Sequence, residues 1–89
     1  MSEISVTRVD DTRFRVVVTE GTTETIHEVT LTEKDRHRYG GDVDAERLIQ
    51  ASFKFLLERE PRESILPSFA IPVIEQYFPE YPAVIRRRL

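Results

Sequence analysis

The first third of the chain contains three stretches in which apolar and polar residues alternate. The alternating residues are Ile4 and Val6 in the first stretch, Phe14, Val16 and Val18 in the second, and His27, Val29 and Leu31 in the third. A period of two with many β-branched residues is typical of half-buried strands. Turn-forming residues separate the stretches at 10–12 and 21–23. The pattern therefore predicts a three-stranded antiparallel meander with the strand at 13–19 in its centre.

Side-chain faces predict how these strands pair, because a slip of one residue moves every side chain to the other face of a sheet. We expect the pairs Val6–Val16 and Ile4–Val18 between the first two strands, with a three-residue loop between them. Between the second and third strands we expect the pairs Val16–Val29, Phe14–Leu31 and Val18–His27. The loop would then be either 22–23 or 21–24.

The most amphipathic segment of the chain lies between Asp44 and Pro61. Its apolar residues recur at helical spacing and form one stripe: Ala45, Leu48, Ile49, Ser52, Phe53, Leu56 and Leu57. A period of 3.6 predicts a helix that buries this stripe against the sheet. Asp42 or Asp44 is the expected N-cap, and Pro61 is the expected stop.

Shorter helices are predicted on both sides of this segment. Thr32 with Asp35 suggests a capped helix that ends at Gly40-Gly41. Pro72 and Pro82 each suit the start of a short helix, the first ending at Phe78 and the second near Arg88. The whole predicts an α+β fold in one domain, 1–89, with an antiparallel sheet in 1–32 and a helical part in 33–89.

Composition narrows the class of protein. The chain has no cysteine, which excludes disulfides, thiolate metal sites and cysteine catalysis. The first residues carry neither the cationic nor the apolar segment of a signal peptide, and no apolar run approaches the ~18 residues of a membrane span. We expect a cytoplasmic protein without a membrane partner.

Several segments resemble a family of small uncharacterised prokaryotic proteins. The resemblance is carried by Leu31-Thr32, the Tyr39-Gly40-Gly41 stop, the string from Ser52 to Pro61, the string from Glu63 to Leu66, and the string from Tyr77 to Tyr81. It covers most of the chain from Leu31 onward. It implies a short stand-alone cytosolic domain, and it implies no activity and no catalytic residues.

The sequence contains no recognisable catalytic or cofactor motif. His27 and His37 are the only histidines, and neither has a second ligand at a metal-binding spacing. We expect His27 to pack on the inner face of the sheet with a ring nitrogen on a backbone or carboxylate partner. No nucleophile elbow or phosphate loop is present. We therefore predict no catalytic, cofactor-binding or metal-binding residues and no enzyme activity.

Aromatic residues suggest a surface for a protein partner. Phe55 lies off the centre of the helical stripe, and Tyr77 and Tyr81 lie among prolines. Aromatic side chains of this kind are enriched at protein interfaces. Alternatively, the C-terminal helices cover Phe55 and close the core. The favoured hypothesis is a non-enzymatic protein-binding or regulatory module, with self-association through an edge strand as a further route.

The alternative hypothesis is a nucleic-acid-associated, antitoxin-like regulator. The candidate phosphate contacts are Arg13 and Arg15 on the sheet and Arg86, Arg87 and Arg88 at the end of the chain. A net charge of −3 argues against general nucleic-acid binding. A basic run in a last helical turn also complements the helix dipole without any ligand.

Overall fold

The computed structural model describes residues 2–89, and it is an α+β structure with helices on one face of a four-stranded sheet. The strands are β1 (Ser2–Arg8), β2 (Arg13–Glu20), β3 (Thr23–Thr30) and β4 (Ser68–Ala70). The helices are α1 (Glu33–Gly40), α2 (Ala45–Leu57), α3 (Pro72–Tyr77) and α4 (Tyr81–Arg88). A single 3₁₀ turn, Arg62–Ser64, lies between α2 and β4.

The sheet differs from the predicted meander by one strand. The order is β1-β2-β3-β4, and the first three strands are antiparallel neighbours as predicted. The fourth strand is parallel to β3 and pairs Val29 with Phe69. A parallel pair needs a long crossover, and α1, α2 and the 3₁₀ turn supply it. The prediction of a three-stranded sheet followed by a purely helical part is therefore wrong in this detail.

The first hairpin has the predicted register, and the second is displaced. Val6 pairs with Val16, as expected. Val16 pairs with His27 instead of Val29, so β3 is shifted by two residues. The reason is the turn: the loop is Gly21 and Thr22, and Gly21 takes φ 60°, which suits the first central position of a tight hairpin turn. A shift of two residues keeps every side chain on its predicted face.

The apolar stripe of α2 is buried as predicted, except for Leu57, which is half-buried. Leu48, Ile49 and Phe53 are completely inaccessible to solvent, and they pack with the inner face of the sheet in one core. Complete burial of a side chain of this size stabilises a fold by about 1.5–3 kcal/mol. The core therefore lies on the inner face of the sheet, and α3 and α4 pack into the same core through Ile74 and Ile85.

The helix ends follow the predicted signals. The Thr32 hydroxyl accepts a hydrogen bond from the Asp35 amide, which caps α1, and Gly41 follows the helix with φ 63°. Asp44 is the N-cap residue of α2, and the helix ends at Leu57, before Pro61. Within residues 2–89, every helix is too short or too polar to cross a membrane.

Candidate functional site

A concave, mainly apolar surface lies where the end of α2, the 3₁₀ turn, β4 and α3 meet. This groove has a volume of about 350 Å³, within the range of ligand-binding clefts. Its apolar lining consists of Leu56, Ile65, Leu66, Phe69, Val73, Ile74, Tyr77 and Phe78. Glu60 and Ser64 are its polar lining residues.

The groove exists because β4 is short and ends the sheet. Phe69 pairs with Val29 on the inner face, and its ring centroid lies 6.0 Å from that of Phe53. No strand lies beyond β4 in the sheet, so Phe69 is only half-buried. Leu66 is 42% exposed and Tyr77 is 66% exposed at the rim. Apolar side chains thus remain open to solvent along one edge of the core.

Glu60 places a single carboxylate in this apolar lining. Burial raises the pKa of Glu60 above its ordinary value. No donor within residues 2–89 forms a hydrogen bond or ion pair with its side chain. A partly desolvated and unpaired carboxylate is stabilised by a cation or a hydrogen-bond donor. The groove therefore suits a ligand that is mainly apolar and carries one positive group.

His27 holds the rim of the groove against the sheet. It is 2% exposed, and its Nδ1 donates to the carbonyl oxygen of Leu66 at 2.8 Å. Its Nε2 lies 2.9 Å from the Thr25 hydroxyl. A carbonyl only accepts, so Nδ1 carries the proton. The prediction of a packed histidine with a backbone partner is confirmed, and the bond positions Leu66.

A second set of polar contacts fixes the 3₁₀ turn. The Arg62 guanidinium bonds both the Glu20 carboxylate and the Thr23 hydroxyl in the β2–β3 hairpin. The Arg62 side chain is only 13% exposed. These bonds connect the segment that follows Glu60 to the sheet, so the groove is bordered by anchored elements on this side.

Helix α3, which carries Tyr77, is anchored through Glu75. The hydroxyl of buried Tyr39 donates to the Glu75 carboxylate at 2.7 Å, and Arg38 approaches the same oxygen at 3.3 Å. Burial, together with the hydrogen bond to Glu75, raises the pKa of Tyr39 to about 12. The contact fixes the orientation of α3 relative to α1, and Tyr77 projects from this fixed helix into solvent.

Two of the three aromatic residues predicted to bind a partner are inside the protein. Phe55 and Tyr81 are both completely buried. The Phe55 ring lies 5.8 Å from Phe78 and 5.3 Å from Tyr81, and the Arg59 guanidinium lies 3.6 Å from its centroid. The C-terminal helices therefore cover Phe55, and this surface prediction is corrected for Phe55 and Tyr81. Of these three aromatic residues, Tyr77 is the exposed one, and it lies at the rim of the groove.

The arginines of the nucleic-acid hypothesis do not form one surface. Arg13 and Arg15 lie on the outer face of the sheet, whereas Arg86, Arg87 and Arg88 lie on α4, on the helical side. Two of them form local ion pairs: Arg13 binds Asp10 at 2.6 Å, and Arg88 binds Glu58 at 2.5 Å. Arg15 lies opposite the acidic Glu28 in the sheet register. Arg86 donates to a backbone carbonyl on α1.

Residues 2–89 contain no group of three or more His, Asp or Glu side chains arranged to hold a metal ion. His37 is exposed on α1. The sequence interpretation missed most of the groove, including Leu66 and Glu60. The available signal is the apolar, proline-punctuated run at 65–74.

The chain matches no protein-family model, no curated protein and no solved structure in the comparisons made.

Proposed function

We propose that this chain is a non-enzymatic protein-binding module that takes an apolar segment of a partner polypeptide into the groove. The observation that supports the proposal is the combination of an open apolar groove with exposed Leu66 and Tyr77 at its rim. Large apolar side chains grouped on a surface are typical of interaction sites. An exposed tyrosine beside a pocket is also a favourable anchor for a partner.

Glu60 indicates the chemistry of the partner segment. Its carboxylate is unpaired within residues 2–89, and burial raises its pKa. A lysine or arginine beside the apolar anchors of the partner would bind this carboxylate and compensate its lost hydration. The net charge of −3 also favours the approach of a basic partner. The proposed ligand is therefore an amphipathic peptide segment with at least one basic residue.

Selection from a displayed library of random short peptides tests this proposal. Wild-type protein should enrich peptides that combine large apolar residues with lysine or arginine. Tyr77→Ala should weaken their binding by roughly tenfold or more, because the substitution removes an aromatic anchor. Glu60→Gln should weaken peptides with a basic residue more than peptides in which that residue is replaced by alanine.

The matched control is Ile26→Ser. Ile26 is 57% exposed on the outer face of the sheet, away from the groove. This variant should bind the selected peptides as the wild type does. Equal losses in Ile26→Ser and Tyr77→Ala would contradict the groove as the binding site. Enriched peptides without any basic residue would contradict the assignment of Glu60.

A further inference from the structure

Strand β1 presents an unpaired backbone edge. The Val9 amide donates to the Arg13 carbonyl oxygen at 2.8 Å, which shows that odd-numbered residues of this segment direct their backbone groups toward β2. The Leu31 amide donates to the Thr12 carbonyl oxygen, and the same alternation thus continues across the sheet. Backbone N–H and C=O groups alternate in direction along a strand. The residues whose groups point away from the sheet are Ser2, Ile4, Val6 and Arg8.

Of the features that usually prevent pairing, this edge has only charged side chains, those of Glu3 and Arg8. Its seven residues pair with β2 in an uninterrupted register, without a bulge. The strand contains no proline and no lysine. Proteins generally protect edges with such residues, with bulges or with very short strands. The opposite edge is short, since β4 has only three residues. A long regular edge is a template for a further strand.

We propose that two copies of this chain pair through β1, antiparallel, about a two-fold axis at Ser5. Residues whose backbone groups point away from β2 must lie opposite one another for the ladder to form. All four of them pair at once only when the axis passes through Ser5. Ile4 then lies opposite Val6 of the second copy, and Ser2 lies opposite Arg8 of the second copy. An axis at Ile4 or at Val6 would leave one of these four residues in each strand without a partner.

The side chains also complement one another in this register. On the inner face, half-buried Ile4 and Val6 meet their counterparts. On the outer face, Glu3 lies opposite Thr7 of the second copy, and Ser5 lies opposite itself. No like charges stand directly opposite each other, which would destabilise the pair.

A cleft of about 640 Å³ also favours a second copy of this chain at this edge. It lies between β1 and α2, and its lining includes Ile4, Lys54 and Leu57. Ser2 and Glu3 of β1 also line it, so the cleft lies beside the strand with which the second copy would pair. A second copy would extend the sheet and bring its own α2 beside this cleft. Isologous pairing of this kind is the commonest route to a closed homodimer.

Disulfide trapping provides a direct test, because the chain contains no cysteine. Residues opposite each other in a non-hydrogen-bonded antiparallel pair have Cα atoms about 4.5 Å apart, within the disulfide range of about 4.4–6.8 Å. Ser5→Cys should therefore form a covalent dimer on mild oxidation. Glu3→Cys and Thr7→Cys should remain largely monomeric alone, and a mixture of the two should form the mixed disulfide.

Sedimentation analysis tests the unmodified interface. The wild-type mass should rise with concentration from 10.4 kDa toward twice that value. Ser5→Lys places two ammonium groups opposite each other and should raise the dimer dissociation constant by roughly tenfold, whereas the matched Ser5→Thr variant should resemble the wild type. A wild-type mass of 10.4 kDa at every concentration would overturn the proposal. The proposal would also be overturned if Ser5→Cys formed the covalent dimer no faster than Glu3→Cys does.

This proposal is independent of the groove. Ser5 lies on β1 at one edge of the sheet, whereas the groove that Tyr77 borders includes Phe69 of β4, the strand at the other edge. Tyr77→Ala should therefore leave the sedimentation behaviour unchanged. If Tyr77→Ala and Ser5→Lys weakened the dimer equally, the interface would lie elsewhere and the β1 assignment would be overturned.

Discussion

The hydrogen bond between Tyr81 and Ser52 offers a sharp test of how the C-terminal helix joins the core. The two oxygens are 2.6 Å apart, and both residues are completely buried. The Ser52 hydroxyl donates its only proton to the Leu48 carbonyl oxygen at 2.7 Å. The Tyr81 hydroxyl must therefore be the donor toward Ser52. Removing either partner has different consequences.

The magnitudes follow from which group is left without a partner. Tyr81→Phe removes the donor while Ser52 keeps its bond to Leu48, so we expect a loss of about 1 kcal/mol in unfolding free energy. Ser52→Ala leaves the buried Tyr81 hydroxyl without an acceptor, which costs about 1–3 kcal/mol. The better helix propensity of alanine offsets about 0.5 kcal/mol of that loss. In the double variant no polar group is left unsatisfied.

A double-mutant cycle isolates the interaction, because the helix propensity of alanine cancels in it. We expect the double variant to be more stable than the sum of the single losses predicts, by about 1–2 kcal/mol. Urea denaturation measures this directly, with an expected m-value of about 1 kcal/mol per molar for a small domain.

The control is Tyr77→Phe, which removes the hydroxyl of a tyrosine that is 66% exposed. Its effect should stay within about 0.5 kcal/mol. A coupling energy of zero within error between Tyr81 and Ser52 would refute the buried bond. It would return Tyr81 to the surface on which the sequence interpretation placed it.

Two further predictions concern titration. Burial raises the pKa of Glu60 above its ordinary value, so the fold loses stability as pH rises from that ordinary value through the raised pKa; Glu60→Gln should therefore be more stable than the wild type in urea at neutral pH, with a difference that vanishes below about pH 4. An unchanged difference at acid pH would exclude ionisation as the cause. Burial and the hydrogen bond to Glu75 raise the pKa of Tyr39 from 10.0 to about 12, so the stability it contributes below pH 10 is lost as pH rises toward 12; Tyr39→Phe should show a shallower alkaline decline, and an equal decline would contradict a buried Tyr39 hydroxyl bonded to Glu75.

The faces of the first three strands could be predicted because alternation alone determines them. Val16 lies on the inner face whether it pairs with Val29 or with His27, as a shift of two residues does not change the side. The register itself depends on the turn, and glycine at the first central position places the two-residue loop at 21–22. Similarly, the stripe on α2 identified its buried face without reference to any other element.

The errors arose where burial depends on segments distant in sequence. Strand β4 has three residues, too few to show an alternation, and it forms only because β3 offers an unpaired edge. Phe55 lies at the margin of the α2 stripe, and only the docking of α4 decides whether it is covered. The groove has the same origin, since its walls come from four separate elements.

The strand order determines where the two proposed surfaces lie relative to each other. β1 and β4 are the two edges of the sheet, so the self-pairing edge and the groove lie on opposite sides of it. A dimer joined through β1 therefore carries its two grooves at the far ends of one continuous sheet. A partner with two suitable segments would bind both grooves at once. Binding of its second segment would then be intramolecular, so effective concentration would determine the gain in affinity. Ser5→Lys should then weaken a two-segment ligand far more than a single segment, while Tyr77→Ala weakens both.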